Sequence, residues 1–229
     1  MAFSEELKRE IENYCNSHLA TSEWYENEFS FIKDEILKEH IIAEFKAIRF
    51  AYKLYEGIEA TEENLRLEVR NQIIAYASIY EAVIEHVLSS YYSDTEEYDD
   101  LMHHIVSVKI SIPEEKQKAL QRELSHDGKV IVPVYYARKK KEETKVRFDD
   151  KCKTAERIGL IHKFFSDDMV EIDLPSEIIE IYSYRNGIHI IAEQRKGISY
   201  ELDLSKKAYR RMRPFIDQVK EKLKQDGKI

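Results

Sequence analysis

The sequence predicts a mainly α-helical protein, an antiparallel bundle of long helices carrying a small α/β insertion with two strands. Three observations predict it. Only 6 Gly and 4 Pro occur among 229 residues, too few for the many turns of an all-β sandwich. Long stretches place apolar side chains at helical spacing. Two short stretches alternate with period two instead, Val106–Ile112 and Val130–Tyr136.

Residues 3–18 predict a short amphipathic helix, with Leu7, Ile11, Tyr14 and Leu19 on one side. Thr21, Ser22 and Glu23 read as the start of a second helix, a hydroxyl ahead of an acid. This helix is expected to run unbroken from Trp24 to about Tyr55, because Phe29, Ile32, Ile36, Ile41, Phe45, Ile48 and Tyr52 form one apolar stripe; Gly57 ends it. A further long helix opens at Thr61 and reaches about Tyr92. Its middle, IIAYASIYEAVI, is apolar nearly all round, which marks it as central and buried. Asp94–Asp100 reads as an exposed acidic linker.

The insertion is expected at about 102–147. Pro113 starts a short helix between the two strands, and Pro133 demotes the second to an edge. Helical pattern resumes over about 148–161 and again over about 175–193. An extended piece at 198–202 leads to Ser205, the expected N-cap of a last helix to about Lys224. The chain reads as one domain, 1–229.

Charge is unevenly spread. The total is -8, but residues 1–126 hold 26 acidic and 13 basic side chains, and residues 127–229 hold 18 and 23. The overall sign argues against indiscriminate coating of nucleic acid, and the asymmetry points to a local anion site. Its candidate residues are Arg138, Lys139, Lys140 and Lys141 in the insertion, and Lys206, Lys207, Arg210 and Arg211 in the last helix. Lys145, Arg147, Lys151, Lys153 and Arg213 add to the basic side. A solvated helix face is the bland alternative.

Cys15 and Cys152 stand in unrelated contexts with no CxxC or Cys/His spacing. The sequence therefore gives no metal site, and two free thiols suit a reducing cytoplasm. The adjacent His103 and His104 diverge and make a poor ligand pair. No glycine-rich phosphate loop is present, so no cofactor is expected. The opening residues carry no apolar signal-like run, and no stretch approaches the length of a membrane span.

The stretch YRNGIHII, residues 184–191, places Arg185 and His189 four apart in a predicted apolar helix. On a helix such residues project together. A buried arginine needs a partner, and Glu81 or Glu85 of the central helix would serve in a purely structural role. The chemical alternative is RNA cleavage without metal. Histidine titrates near neutrality and transfers protons, while arginine offers a charged fork of donors to phosphate oxygens.

Arg185 and Asn186 followed by His189, late in a helical chain, resemble the motif of the HEPN superfamily (higher eukaryotes and prokaryotes nucleotide-binding). Two long helices before the motif, the helix predicted over 148–161 and a closing helix with Tyr209 and Phe215 extend the resemblance to about two thirds of the chain. It implies a HEPN-like bundle that dimerises and a metal-independent endoribonuclease in phage defence or as a toxin. RNA is then the substrate, and an antitoxin or defence-system protein a partner. Arg185 and His189 become the catalytic pair and Asn186 its polar neighbour. The Arg185–His189 interval is shorter than the family's usual one. Ile191 stands where toxins regulated by a nucleotidyltransferase carry a tyrosine. Some members only bind nucleotide or RNA, or serve as subunits of a defence complex.

Overall fold

A computed structural model describes residues 2–124, 129, 131–187 and 200–229 of the chain. It is mainly helical with two small antiparallel strand pairs. The fold is organised by one helix, α4, Glu62–Tyr91. Its 30 residues span about 45 Å at 1.5 Å per residue. Ile73, Ala75, Tyr76, Ala77, Ile79 and Leu88, which point in different directions around the axis, are all buried, so this helix needs apolar neighbours around more than half of its girth.

The first neighbours come from the N-terminal side. Helix α1, Glu5–Ser17, is capped by Ser4 and packs on α3. Helix α2, Ser22–Glu28, is capped by Thr21, whose hydroxyl accepts from the Trp24 N–H at 3.2 Å. The single helix expected from Trp24 to Tyr55 is in fact two. The chain leaves the helix after Glu28 and re-enters at α3, Glu35–Gly57, where the Asp34 carboxylate accepts from the Leu37 N–H at 3.0 Å. The connector keeps the apolar stripe continuous because Phe29, Phe31 and Ile32 are buried in it.

After α4, the stretch expected to be an acidic linker forms a short helix, α5, Glu96–Met102, capped by Thr95. Strand β1, His103–Lys109, follows, then helix α6, Glu114–Glu123, and strand β2, Val134–Lys140. The second strand starts beyond Pro133 rather than at Val130, and the basic run from Arg138 forms its last three residues and continues to Lys141 just past its end. The two strands pair antiparallel, with Ile105 opposite Arg138 and Ser107 opposite Tyr136. No residue of either strand or of α6 is fully buried, so this part stands as an arm beside the helices. His103 and His104, consecutive on a strand, face opposite sides.

A 3-10 turn, Glu143–Lys145, leads to α7, Phe148–Ile158, which ends on Gly159 with φ +84°. A two-residue hairpin, β3 Phe164–Phe165 with β4 Glu171–Ile172, precedes α8, Leu174–Arg185. The sequence reading missed this hairpin. The last helix, α9, spans Leu202–Gln225. It begins three residues before the expected cap. Glu201 is the N-cap, and Ser205 is buried in the first turn, donating to the Leu202 carbonyl.

Helices α3, α7, α8 and α9 all pack on α4. Polar tips tie the layers. The Tyr80 hydroxyl donates to the Ala208 carbonyl at 2.8 Å, joining α4 to α9. Gln218 accepts from the His162 N–H at 2.8 Å and donates back to its carbonyl. No helix among the described residues is long and apolar enough to cross a membrane.

Candidate functional site

A polar cleft of about 730 Å³ opens where α8 ends against α4 and the start of α7. Glu81 and Glu85 of α4 form one wall. Lys145, Arg147 and Lys151 come from the 3-10 turn and α7, and Tyr182 and Asn186 from α8. The residue types follow from position. Each helix turns an apolar face to the core, leaving its polar residues to line the gap between the three elements.

Arg185 is anchored at the edge of this cleft. Its guanidinium donates to the Oε2 of Glu81, and the Tyr182 hydroxyl donates to Oε1 at 2.7 Å. Both oxygens of one carboxylate are thus occupied. The guanidinium also lies 5.2 Å from the centre of the Tyr182 ring, which in turn stacks on Phe148 at 4.1 Å. Burial, reinforced by the Glu81 carboxylate, pushes the Tyr182 phenol up to about 12, so it stays a hydrogen-bond donor at neutral pH. Arg185 keeps 32% of its side chain exposed and Glu81 27%. An arginine has five N–H donors, and those not spent on Glu81 can meet a phosphate.

The other cations of the cleft are also paired. Lys151 reaches Glu85 at 2.5 Å, Arg147 reaches Asp149 at 2.8 Å, and Lys145 reaches Glu142 at 2.9 Å. Carboxylates balance cations, so an entering polyanion must compete with these pairs.

Helix α8 ends at Arg185, earlier than the expected Glu193. Asn186 closes it, its N–H reaching the Tyr182 carbonyl, and the Gly187 N–H reaches the Tyr184 carbonyl at 2.9 Å. His189 lies outside the described residues, as do Ile191 and the first part of the extended piece expected at 198–202. The expectation that Arg185 and His189 share a helix face therefore extends past the described helix.

The remaining basic candidates separate into four groups. Arg138 is tied to Asp99 and Asp100, and the Lys141 ammonium donates to the Leu101 carbonyl at 2.9 Å. Lys139 and Lys140 sit exposed on β2. On α9, Lys207 pairs with Glu180 at 2.7 Å and Glu177 at 3.4 Å, and Arg211 with Glu177, which clamps α9 to α8. Lys206 and Arg210 face elsewhere, towards α3. The sequence offers Glu81 or Glu85 as a structural partner and places Tyr182 only among the apolar faces of the motif helix, whereas its hydroxyl reaches Glu81. The signal for Tyr182 was its place one turn before Arg185.

No family model, curated protein or solved structure matches the chain.

Proposed function

We propose that this chain is a HEPN-type endoribonuclease that cuts RNA without a metal, as a homodimer, in phage defence or as a toxin. The observation that carries this reading is the anchored Arg185 beside a cleft whose wall includes Asn186, Lys145, Arg147 and Lys151. A catalytic arginine must be held still, and a carboxylate bound at both oxygens holds it.

In the reaction the RNA 2′-hydroxyl attacks the adjacent phosphorus and the bond to the 5′-oxygen breaks. A 2′,3′-cyclic phosphate and a 5′-hydroxyl remain. The 2′-hydroxyl proton is taken up and the leaving oxygen receives one. The motif assigns proton transfer to His189, and Arg185 offsets the charge on the pentavalent phosphorus. One such pair supplies only part of this chemistry, and a two-fold dimer supplies two. Arg138, Lys139, Lys140, Lys141, Lys206, Lys207, Arg210 and Arg211 are the residues assigned to the RNA backbone.

A second reading is favoured by the same Arg185–Glu81 pair, which already neutralises the guanidinium. In it the chain is a non-catalytic module that binds RNA or nucleotide, or is a partner subunit of a defence complex. The deciding experiment incubates wild type, Arg185→Ala and His189→Ala with a mixed RNA pool in EDTA and analyses the ends. Cyclic phosphates from wild type alone support the nuclease. Equal cleavage by all three, or none by any, sinks it, and RNA retention by uncleaving wild type then favours the module.

A further inference from the structure

The opposite side of α4 carries a second, separate site. Gln72 and Glu81 are nine residues apart, about half a turn around the axis, so their side chains leave α4 in opposite directions. On the Gln72 side, α3, α4 and α9 enclose two adjoining cavities of about 230 and 210 Å³. Tyr52, Glu56, Gln72 and Lys206 are walls of both, so the two form one connected space. Together they fall within the roughly 300–1,000 Å³ of small-molecule sites.

The two ends of this space carry opposite charge. In the larger cavity Arg49, Lys53, Lys206 and Arg210 stand against one carboxylate, Glu56, which Lys53 already holds at 2.5 Å. Neither Arg49 nor Arg210 makes an ion pair among the described residues. Neutral groups steady Arg49 instead. Its guanidinium lies 3.9 Å from the centre of the Tyr209 ring, 5.0 Å from that of Tyr52, and against the Tyr76 hydroxyl. Such contacts hold a guanidinium without neutralising it, so its charge stays available to an anion.

The smaller cavity holds three carboxylates, Glu56, Glu59 and Glu68. Glu56 is spent on Lys53, and Lys206 turns to Asp203 at 3.8 Å. Glu59 and Glu68 make no ion pair among the described residues. Glu59 is placed by the turn after α3, where its own N–H reaches the Glu56 carbonyl at 3.1 Å and the Ala60 N–H reaches the Tyr55 carbonyl at 2.9 Å. Glu68 is only 2% exposed. Its Oε1 accepts from the neutral Gln72 amide at 2.9 Å, and its Oε2 has no hydrogen-bond partner among the described residues. Burial pushes this carboxyl above its ordinary value, as it does for an acid with no cation beside it. A buried carboxylate without a cation is destabilising until a ligand supplies one. Ala60, Leu65 and Leu202 add an apolar wall, and Tyr55 a ring on which an ammonium can rest.

We propose that the connected cavities bind a small ω-amino carboxylate, a carboxylate and an ammonium joined by an aliphatic chain. Its carboxylate lies between Arg49 and Arg210. Its chain passes Tyr52 and packs on Leu65 and Leu202, and its ammonium meets Glu68 and Glu59. The opposite charges of the site stand in different cavities, so those of the ligand belong to its two ends rather than to one carbon. A simple anion answers only the guanidiniums, and a simple amine only the carboxylates. The site is independent of what the cleft on the other side of α4 does.

The test is calorimetric titration of the full chain with 4-aminobutyrate, 6-aminohexanoate and 8-aminooctanoate, beside hexanoate and hexylamine. At least one amino carboxylate is expected to bind saturably and about tenfold or more tighter than hexanoate or hexylamine. Arg49→Gln and, separately, Glu68→Gln weaken it by about tenfold or more, the value of a charge-assisted hydrogen bond. Arg210→Gln and Glu59→Gln, at exposed positions, each weaken it by about threefold and keep the test decisive if the buried variants do not fold. No saturable heat from any amino carboxylate overturns the proposal. So does hexanoate or hexylamine binding as tightly, which reduces the site to one charge, or an affinity unchanged in both Arg210→Gln and Glu59→Gln.

Discussion

Replacing Glu81 by Ala removes one carboxylate and leaves two donors without it, the Arg185 guanidinium and the Tyr182 hydroxyl. Fully buried, each hydrogen bond to a charged acceptor would contribute about 1.5–3 kcal/mol. Both ion-pair side chains are about a third exposed, which lowers the figure to roughly 1 kcal/mol per bond, so Glu81→Ala should lose about 2 kcal/mol. At about 2.1 cal/mol/K per residue, a 229-residue chain loses about 2 °C of Tm per kcal/mol, so the expected fall is about 4 °C. Arg185→Ala alone should lose about half of that. The double variant should lose little more than Glu81→Ala, because the Arg185 bond is already gone. Differential scanning fluorimetry of the four proteins measures the cycle. A fall under about 1 °C for Glu81→Ala, or single-variant losses that simply add, would refute the claim that Glu81 holds Arg185.

Three further predictions rest on other parts of the fold. His86 Nε2 accepts from the Lys33 N–H at 3.0 Å, and burial holds its pKa below the ordinary value of 6.5. The folded state therefore favours neutral His86. Its contribution is full above about pH 6.5 and declines as pH falls from there towards the folded value. His86→Gln, which keeps an acceptor but cannot titrate, should flatten that part of a Tm-against-pH curve; an unchanged curve rejects the assignment. Cys15 and Cys152 are buried, and burial raises both thiols, so a thiol reagent should count none in the native protein and two after denaturation. Gly159 closes α7 at φ +84°, where an added Cβ would meet only the Lys222 side chain at 3.7 Å. Gly159→Ala should therefore cost about 1 kcal/mol through backbone strain alone, read as about 2 °C in Tm.

Much of the bundle was legible because its signals are local. The buried middle of α4 is nearly all apolar, and Thr61 with Glu62 marks its start. The break between α2 and α3 was not read because Phe29, Phe31 and Ile32 continue the apolar pattern while leaving the helix. The signal that outweighs the stripe is the cap at Asp34. Helix α5 was hidden by its acidity, although Thr95 ahead of two glutamates is the same kind of cap. The candidate site was legible as residue types but not as contacts. Arg185 and Glu81 are 104 residues apart, and only the packing of α8 on α4 selects Glu81 over Glu85, which pairs with Lys151 instead. The basic run on α9 likewise reads as one cluster in sequence. The helix sends Lys207 and Arg211 to α8 and Lys206 and Arg210 to α3, because neighbours in sequence lie about 100° apart.

The arm enters and leaves the helical body through a single neck. The Lys141 N–H meets the Met102 carbonyl at 2.7 Å, and the Lys141 ammonium meets the Leu101 carbonyl at 2.9 Å. Two points of the chain some forty residues apart are thereby stapled side by side, so the path from α5 to α7 is already closed without what lies between. Among the described residues, neither strand of the arm nor α6 contributes a buried side chain to the core of the body. Such a neck makes the arm a replaceable attachment. Exchanging it for a short turn between Met102 and Lys141 is expected to cost the bundle only the half-exposed pairs of Arg138 with Asp99 and Asp100.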